Sequence, residues 1–243
     1  MAMKELNINS GKVTVFAGIE LILTRKRIKN MYIRIMPPEG EVRLTAPLRA
    51  SRDVLEDFVR KNSEWICRKR EELKKRPCAK PLEYVSGERH FLWGQPYELR
   101  VELAKRNSVS VRGNHIMLCL VEMGTRETRE KVLTEWYRRE LKEVVEKCLR
   151  QCEIIAGKQA SEWGIRNMRT RWGTCNVARK RIWLNLQLAK KPPECLSYVI
   201  LHELTHLYER RHNARFNGYM DKFCPGWREI KERLNRRDEN SFT

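Results

Sequence analysis

The residues best able to do chemistry stand together in His202-Glu203-Leu204-Thr205-His206. On a helix, residues i and i+4 share one face a turn apart, so two imidazoles can meet one ion. Glu203 sits about 100° around from His202. It cannot easily join the ligand pair, but it can reach a water that the metal holds. Catalytic zinc takes three protein ligands and keeps a fourth position for water. His212, six residues past His206, is the nearby candidate for the third ligand, if the helix turns just after Tyr208 or Arg210. The chain has five histidines, three of them within eleven residues. A chance match to this spacing arises at about the one-in-a-hundred level. The competing reading is a helix face with two satisfied histidines and a solvated glutamate. The third histidine weighs against it, as does the apolar run 196–201, which would bury the helix and dry the site. His90 and His115 fall in strand-like stretches without ligand spacing and read as structural.

The elements that must position this constellation follow from periodicity and turn residues. Segments 12–16 and 19–23 flank Ala17-Gly18 and suggest a hairpin. Segment 31–36 alternates, Pro37-Pro38-Glu39-Gly40 makes a turn, and 41–46 returns as a paired strand. Ser51 is placed to cap a helix, with Asp53 in its first turn, and Val54, Phe58, Trp65 and Ile66 predict that helix over about 52–75. Strands return between about 82 and 121, with a turn at Arg112-Gly113-Asn114. A long helix over about 125–157 carries the apolar stripe Val132, Leu133, Trp136, Leu141, Val144, Val145 and Leu149. Further on, 165–170 reads as a strand, 171–176 as a loop and 181–188 as a strand. The helix bearing the histidines runs from about 193 to 210, and a short basic helix follows Pro225. No internal repeat is visible, and the best boundary lies near 121–126. The expected organisation is therefore α+β: a β-rich region over 1–122 with one basic helix, then a hydrolase domain over 123–243.

Composition narrows the class. At 41% hydrophobic and 33% charged, the chain is neither low-complexity nor disordered throughout. A net charge of +19 implies attraction to polyanions. No apolar run approaches the roughly 20 residues of a membrane span, and the start of the sequence lacks a signal-peptide pattern, so the cytosol is the expected location. None of the eight cysteines forms a C-x-x-C pair, and unbridged thiols are expected.

The stretch Arg171-Trp172-Gly173-Thr174-Cys175, then Ile182, Leu184-Asn185-Leu186 and Leu188, then the run 198–207 with its two histidines, then His212, Phe216 and Pro225, resembles the YgjP-like family. That family is grouped with the zincin metallopeptidases and is similar to SprT-like and WLM proteases. The N-terminal half, with Glu64-Trp65-Ile66, shares the resemblance. Thr174 stands where Ser is common, and Asn217 where a Trp often follows the Phe. The resemblance implies a zincin-like C-terminal core with His202, His206 and His212 as metal ligands and Glu203 as general acid/base. Zinc is the implied metal, with Mn, Co and Ni as alternatives. A zinc ion with three histidines lowers the pKa of its bound water to about 7, and Glu203 would carry the proton to the leaving group.

Three functions compete. The first is a metallopeptidase acting on a peptide or protein, with the strand 181–188 offering an edge to an extended substrate. The second is a nucleoside triphosphate (UTP) pyrophosphatase, which the resemblance permits and the charge suits, with Arg171 as first phosphate contact and Arg169, Arg211 and Arg215 next. No Gly-rich phosphate loop backs it. The third is a nucleic-acid-associated SprT-like protease, using Arg25-Lys26-Arg27, Lys29 and the basic run 68–76; solubility explains those runs equally well. Arg171, Tyr198, Tyr208 and Tyr219 are the candidates for oxyanion stabiliser. Trp172 reads as core, and Cys175 as packing rather than nucleophile.

Overall fold

The computed structural model describes residues 12–36, 39–74 and 82–236. Contacts divide the chain into two units, 1–79 and 80–243.

The first unit contains β1 (Lys12–Phe16), β2 (Ile19–Lys26), β3 (Tyr32–Met36), β4 (Glu41–Pro47), α1 (Arg52–Lys61) and α2 (Ser63–Lys74). Its sheet has the order β1-β2-β4-β3, with a parallel central pair and antiparallel outer pairs. The expected hairpin turns on Ala17 and Gly18, at φ 48° and 74°. Two positive φ values match the right-handed twist of the strands, and the Ala17 N–H is held by Glu56 Oε1 at 2.7 Å. Leu21, Val42 and Leu44 pack with Leu55, Val59 and Ile66 to form the core. Ser51 caps α1 as expected. The single helix expected from 52 is instead two, because Asn62 and Ser63 offer the backbone an alternative. Asn62 Nδ2 donates to Phe58 O at 2.7 Å, and Ser63 Oγ donates to Arg60 O at 2.8 Å. Arg25, in one basic segment, donates to the carbonyls of Pro47, Leu48 and Ala50. Pro37, Pro38, Lys75, Arg76 and Cys78 lie outside the described residues.

The second unit opens with β5 (Arg89–Leu92), β6 (Gln95–Leu103), β7 (Ser108–Arg112) and β8 (His115–Leu120). Their order, β5-β6-β8-β7, again has a parallel central pair flanked by antiparallel ones. The topology of the first sheet thus recurs although the sequence shows no repeat, since a ladder needs only alternation and turns. Then comes α3 (Arg126–Ala156), capped by the Thr125 side chain and closed by Gly157 at φ 64°. Its stripe of Leu133, Trp136, Leu141, Val145 and Leu149 shares one core with Ile116, Leu118 and Leu120 of β8. This is why the division falls at 79 and not at the expected 122: the second sheet has its apolar face committed to α3.

The rest comprises β9 (Glu162–Arg166), β10 (Gly173–Asn176), β11 (Arg181–Asn185), a 3-10 helix (Leu186–Lys190), α4 (Pro193–Thr205), α5 (Ala214–Phe223) and α6 (Trp227–Asn235). The three strands are ordered β10-β11-β9. Three expectations change here. β11 ends at Asn185 and lies between two neighbours, so it has no free edge. The stretch read as a loop contains the edge strand β10, whose glycine and short polar residues mask its pattern. α4 stops at Thr205, whose Oγ1 donates back to Leu201 O at 2.7 Å, and Leu207 and Tyr208 close the end by donating to Leu204 O and Thr205 O. α5 was not anticipated; Asn213 starts it by accepting from Phe216 N at 3.0 Å. Among the described residues no helix is long and apolar enough to cross a membrane.

Candidate metal centre

His202 and Glu203 sit in the last turn of α4, His206 is the residue that caps it, and His212 lies in the following loop, one residue before the Asn213 cap of α5. The early end of α4 therefore turns the chain back sooner than expected and brings His212 over the other two. His202 Nε2 and His212 Nε2 are 3.0 Å apart, and ligand atoms of all three histidines lie within 4.8 Å of one another. Beneath them is Phe216, 1% exposed, with its ring 4.9, 4.9 and 4.6 Å from the rings of His202, His206 and His212. Phe216 belongs to the motif, but its place beneath the triad depends on how α5 packs and has no signature in the residue pattern.

The donor set fits a transition metal. Two nitrogens on one tetrahedral zinc are separated by roughly 3.3 Å, close to the His202–His212 spacing. Burial holds His202 down to about 3 and also lowers His206, so both rings are neutral and can donate lone pairs. His206 Nδ1 is 3.2 Å from Glu209 O. A carbonyl only accepts, so Nδ1 carries the proton and Nε2 keeps its lone pair. Three imidazoles suit zinc or its neighbours and not Ca²⁺ or Mg²⁺, which prefer oxygen.

Glu203 is 5% exposed. Burial pushes its carboxyl up to about 8, opposed by Arg171. It lies against the backbone of β10: a Cβ built on Gly173 would come within 2.7 Å of Glu203 Oε1. Gly173 is therefore a site residue that sequence reasoning passed over. The next inward-facing residue of β10 is Cys175, whose thiol is pushed up to about 11 by burial and by Glu203. It stays protonated near neutrality, as a packing residue should.

The triad and Glu203 open into a cavity of about 680 Å³, which β10 lines on one side. Arg171, Trp172, Tyr198, Arg210 and Lys231 also line it. Trp172, expected in the core, is half-buried at this wall and donates from Nε1 to Asn235 Oδ1 at 3.1 Å. Of the four oxyanion candidates, Arg171 and Tyr198 reach the cavity. Tyr208 instead donates to Ala156 O at 2.7 Å and stacks on Tyr219. Arg169, Arg211 and Arg215 do not line it. His90 is buried against Glu88, and His115 lies 4.0 Å from Glu98; neither joins the histidine cluster.

A model of the YgjP-like metallopeptidase domain matches residues 29–237. That domain and the histidine cluster make this a metal-dependent hydrolase. The chain belongs to the YgjP-like family. The crystal structure of the metallopeptidase zymogen of Pyrococcus abyssi abylysin is also similar. It shares 26% identity and covers 37% of this chain and 90% of its own, with a TM-score of 0.35. No curated protein matches.

Proposed function

We propose that the chain is a zinc metallopeptidase that cleaves a peptide laid along β10, with Glu203 as general acid/base. The observation that supports it is the coincidence, in one cavity, of three convergent imidazoles, a buried carboxylate and an edge strand paired on one side only among the described residues. An extended peptide can add to such an edge through main-chain hydrogen bonds. His202, His206 and His212 would hold the ion, which when bound supplies Lewis-acid polarisation of water and of the scissile carbonyl. Glu203 then takes a proton from the attacking water onto its carboxylate and delivers it to the leaving nitrogen. Burial raises the Glu203 carboxyl in the metal-free site, and a bound cation would draw it back towards the ionised form that accepts the proton. Arg171 and Tyr198 are positioned to meet the developing oxyanion from the cavity wall. The seven described cysteines are unbridged, in keeping with a reducing cytosol.

A second reading, hydrolysis of a phosphoanhydride, is favoured by Arg171, Arg210 and Lys231 lining the same cavity. Metal analysis with assays on casein and UTP separates the two. Expected are bound zinc, casein cleavage, and a loss of about 10²- to 10⁴-fold in Glu203→Gln with the metal retained. UTP hydrolysis that Arg171→Ala abolishes, with casein untouched, would overturn the peptidase reading.

A further inference from the structure

A second cavity, of about 740 Å³, adjoins the first, and Val177 lines both. It lies between the hairpin that joins β10 to β11 and the last turns of α3. Three cations line it, Arg150, Lys158 and Lys180, against one carboxylate, Glu153. That carboxylate is engaged, accepting from Ala160 N at 2.9 Å. Lys158 is held in place with Nζ 4.8 Å from the centre of the Tyr208 ring, which leaves its charge unneutralised. Ile154, 83% exposed, and Leu207 supply an apolar wall beside the cations.

Lys180 adds an independent sign. Its φ is +47°, the left-handed region where a side chain is strained and glycine is not. It closes the four-residue loop between Asn176 and Arg181, a position at which glycine is the natural choice. The lysine in that strained position is also one of the residues that line the cavity.

β10 runs from the first cavity to the turn that begins at Val177, which lines both. Gly173 touches Glu203, and Val177 stands four residues further on. At about 3.3 Å per residue, a peptide following the strand covers about 13 Å between them. We propose that the second cavity is a distal substrate subsite, taking an acidic residue about four positions from the scissile bond, its carboxylate near Lys158 and Lys180 and a neighbouring apolar side chain on Ile154 and Leu207. The proposal rests on the peptidase reading.

The test is digestion of a randomised decapeptide library by zinc-loaded protein, with the products sequenced. Wild type should enrich Asp and Glu about four residues from the cut. Lys180→Gly should melt at a higher temperature than wild type, because glycine adopts the loop geometry without strain, yet lose the enrichment. Lys158→Gln should lose it too. Each variant should lower kcat/KM for an acidic peptide by about tenfold and leave its Gln counterpart unchanged. Lys222→Glu, an exposed change on α5, should alter neither. Cleavage without acidic enrichment, or enrichment that survives both variants, overturns the subsite and leaves the peptidase reading standing. Failure to cleave any library member overturns the peptidase reading, and the subsite falls with it.

Discussion

Replacing Gly173 with alanine tests whether β10 sets the position of the buried carboxylate. The new Cβ would lie 2.7 Å from Glu203 Oε1, 2.9 Å from Glu203 Cγ and 2.9 Å from Val199 Cγ1. Ordinary contact begins near 3.4 Å, so Glu203 must recede by about 0.7 Å or the strand must lift away. Overpacking of this kind costs about 1–3 kcal/mol. A misplacement near 1 Å at a reacting group costs about 10²-fold in rate. Backbone geometry adds nothing to the penalty, since Gly173 is not in the positive-φ region. The assay is turnover together with urea unfolding of the metal-free protein, in wild-type and Glu203→Ala backgrounds. Two of the three short contacts vanish with the glutamate side chain, so the stability cost of Gly173→Ala should fall by about half, or roughly 1 kcal/mol, in the second background. Equal costs in both backgrounds, or a Gly173→Ala variant with normal turnover, would refute the argument.

Two further outcomes are expected. A chelator should lower the melting temperature of the loaded protein, since an ion bound only by the folded state adds about 4 kcal/mol at a thousandfold excess over its dissociation constant. His212→Ala should remove most of that difference and leave the metal-free protein as stable as before, because His212 is exposed; a chelator without effect on wild type would count against the triad as ligands. Acid sensitivity should trace in part to His90, which burial first and then Lys190 hold down to about 4. The folded protein keeps this ring neutral while the unfolded chain takes a proton below about 6.5, so stability should fall as pH drops from 6.5 towards 4, by up to about 3 kcal/mol. Urea unfolding between pH 7 and 5 should show a shallower loss for His90→Gln, and an unchanged slope would exclude this origin.

The parts of the fold visible in the sequence were those fixed by local chemistry. Ser51, Thr125 and Gly157 end their helices through their own side chain or backbone freedom, so those positions could be read directly. The triad was visible for the same reason, since helical spacing and one later histidine require no tertiary knowledge. What escaped depends on partners distant in sequence. β10 is four residues long and reads as a turn until Leu184, Trp183, Ile182 and Arg181 pair with it. Gly173 looks like a turn glycine, and its actual role, making room for Glu203, lies thirty residues away in the chain. The division at 79 turns on α3 burying β8, a choice that alternation in the strands leaves open.

The end of α4 carries costs that the apolar stripe of α3 does not. α3 spends its long stripe on leucines, valines and aromatics, each contributing about 1.5–3 kcal/mol when buried. The end of α4 buries a carboxyl group, and it leaves His202 Nδ1 buried with no hydrogen-bond partner among the described residues. An unsatisfied polar atom of that kind costs about 1–3 kcal/mol. These costs are local and fall on the segment whose geometry the ligands share, so the metal-free form should open first there, while α3 and the sheet packed on it stay closed. A cation held by the three imidazoles would offset them where they arise, because it favours the ionised carboxylate and the neutral rings together. Burial at this helix end therefore weakens the empty site and tunes the loaded one, as expected where residues are selected for chemistry and not for packing.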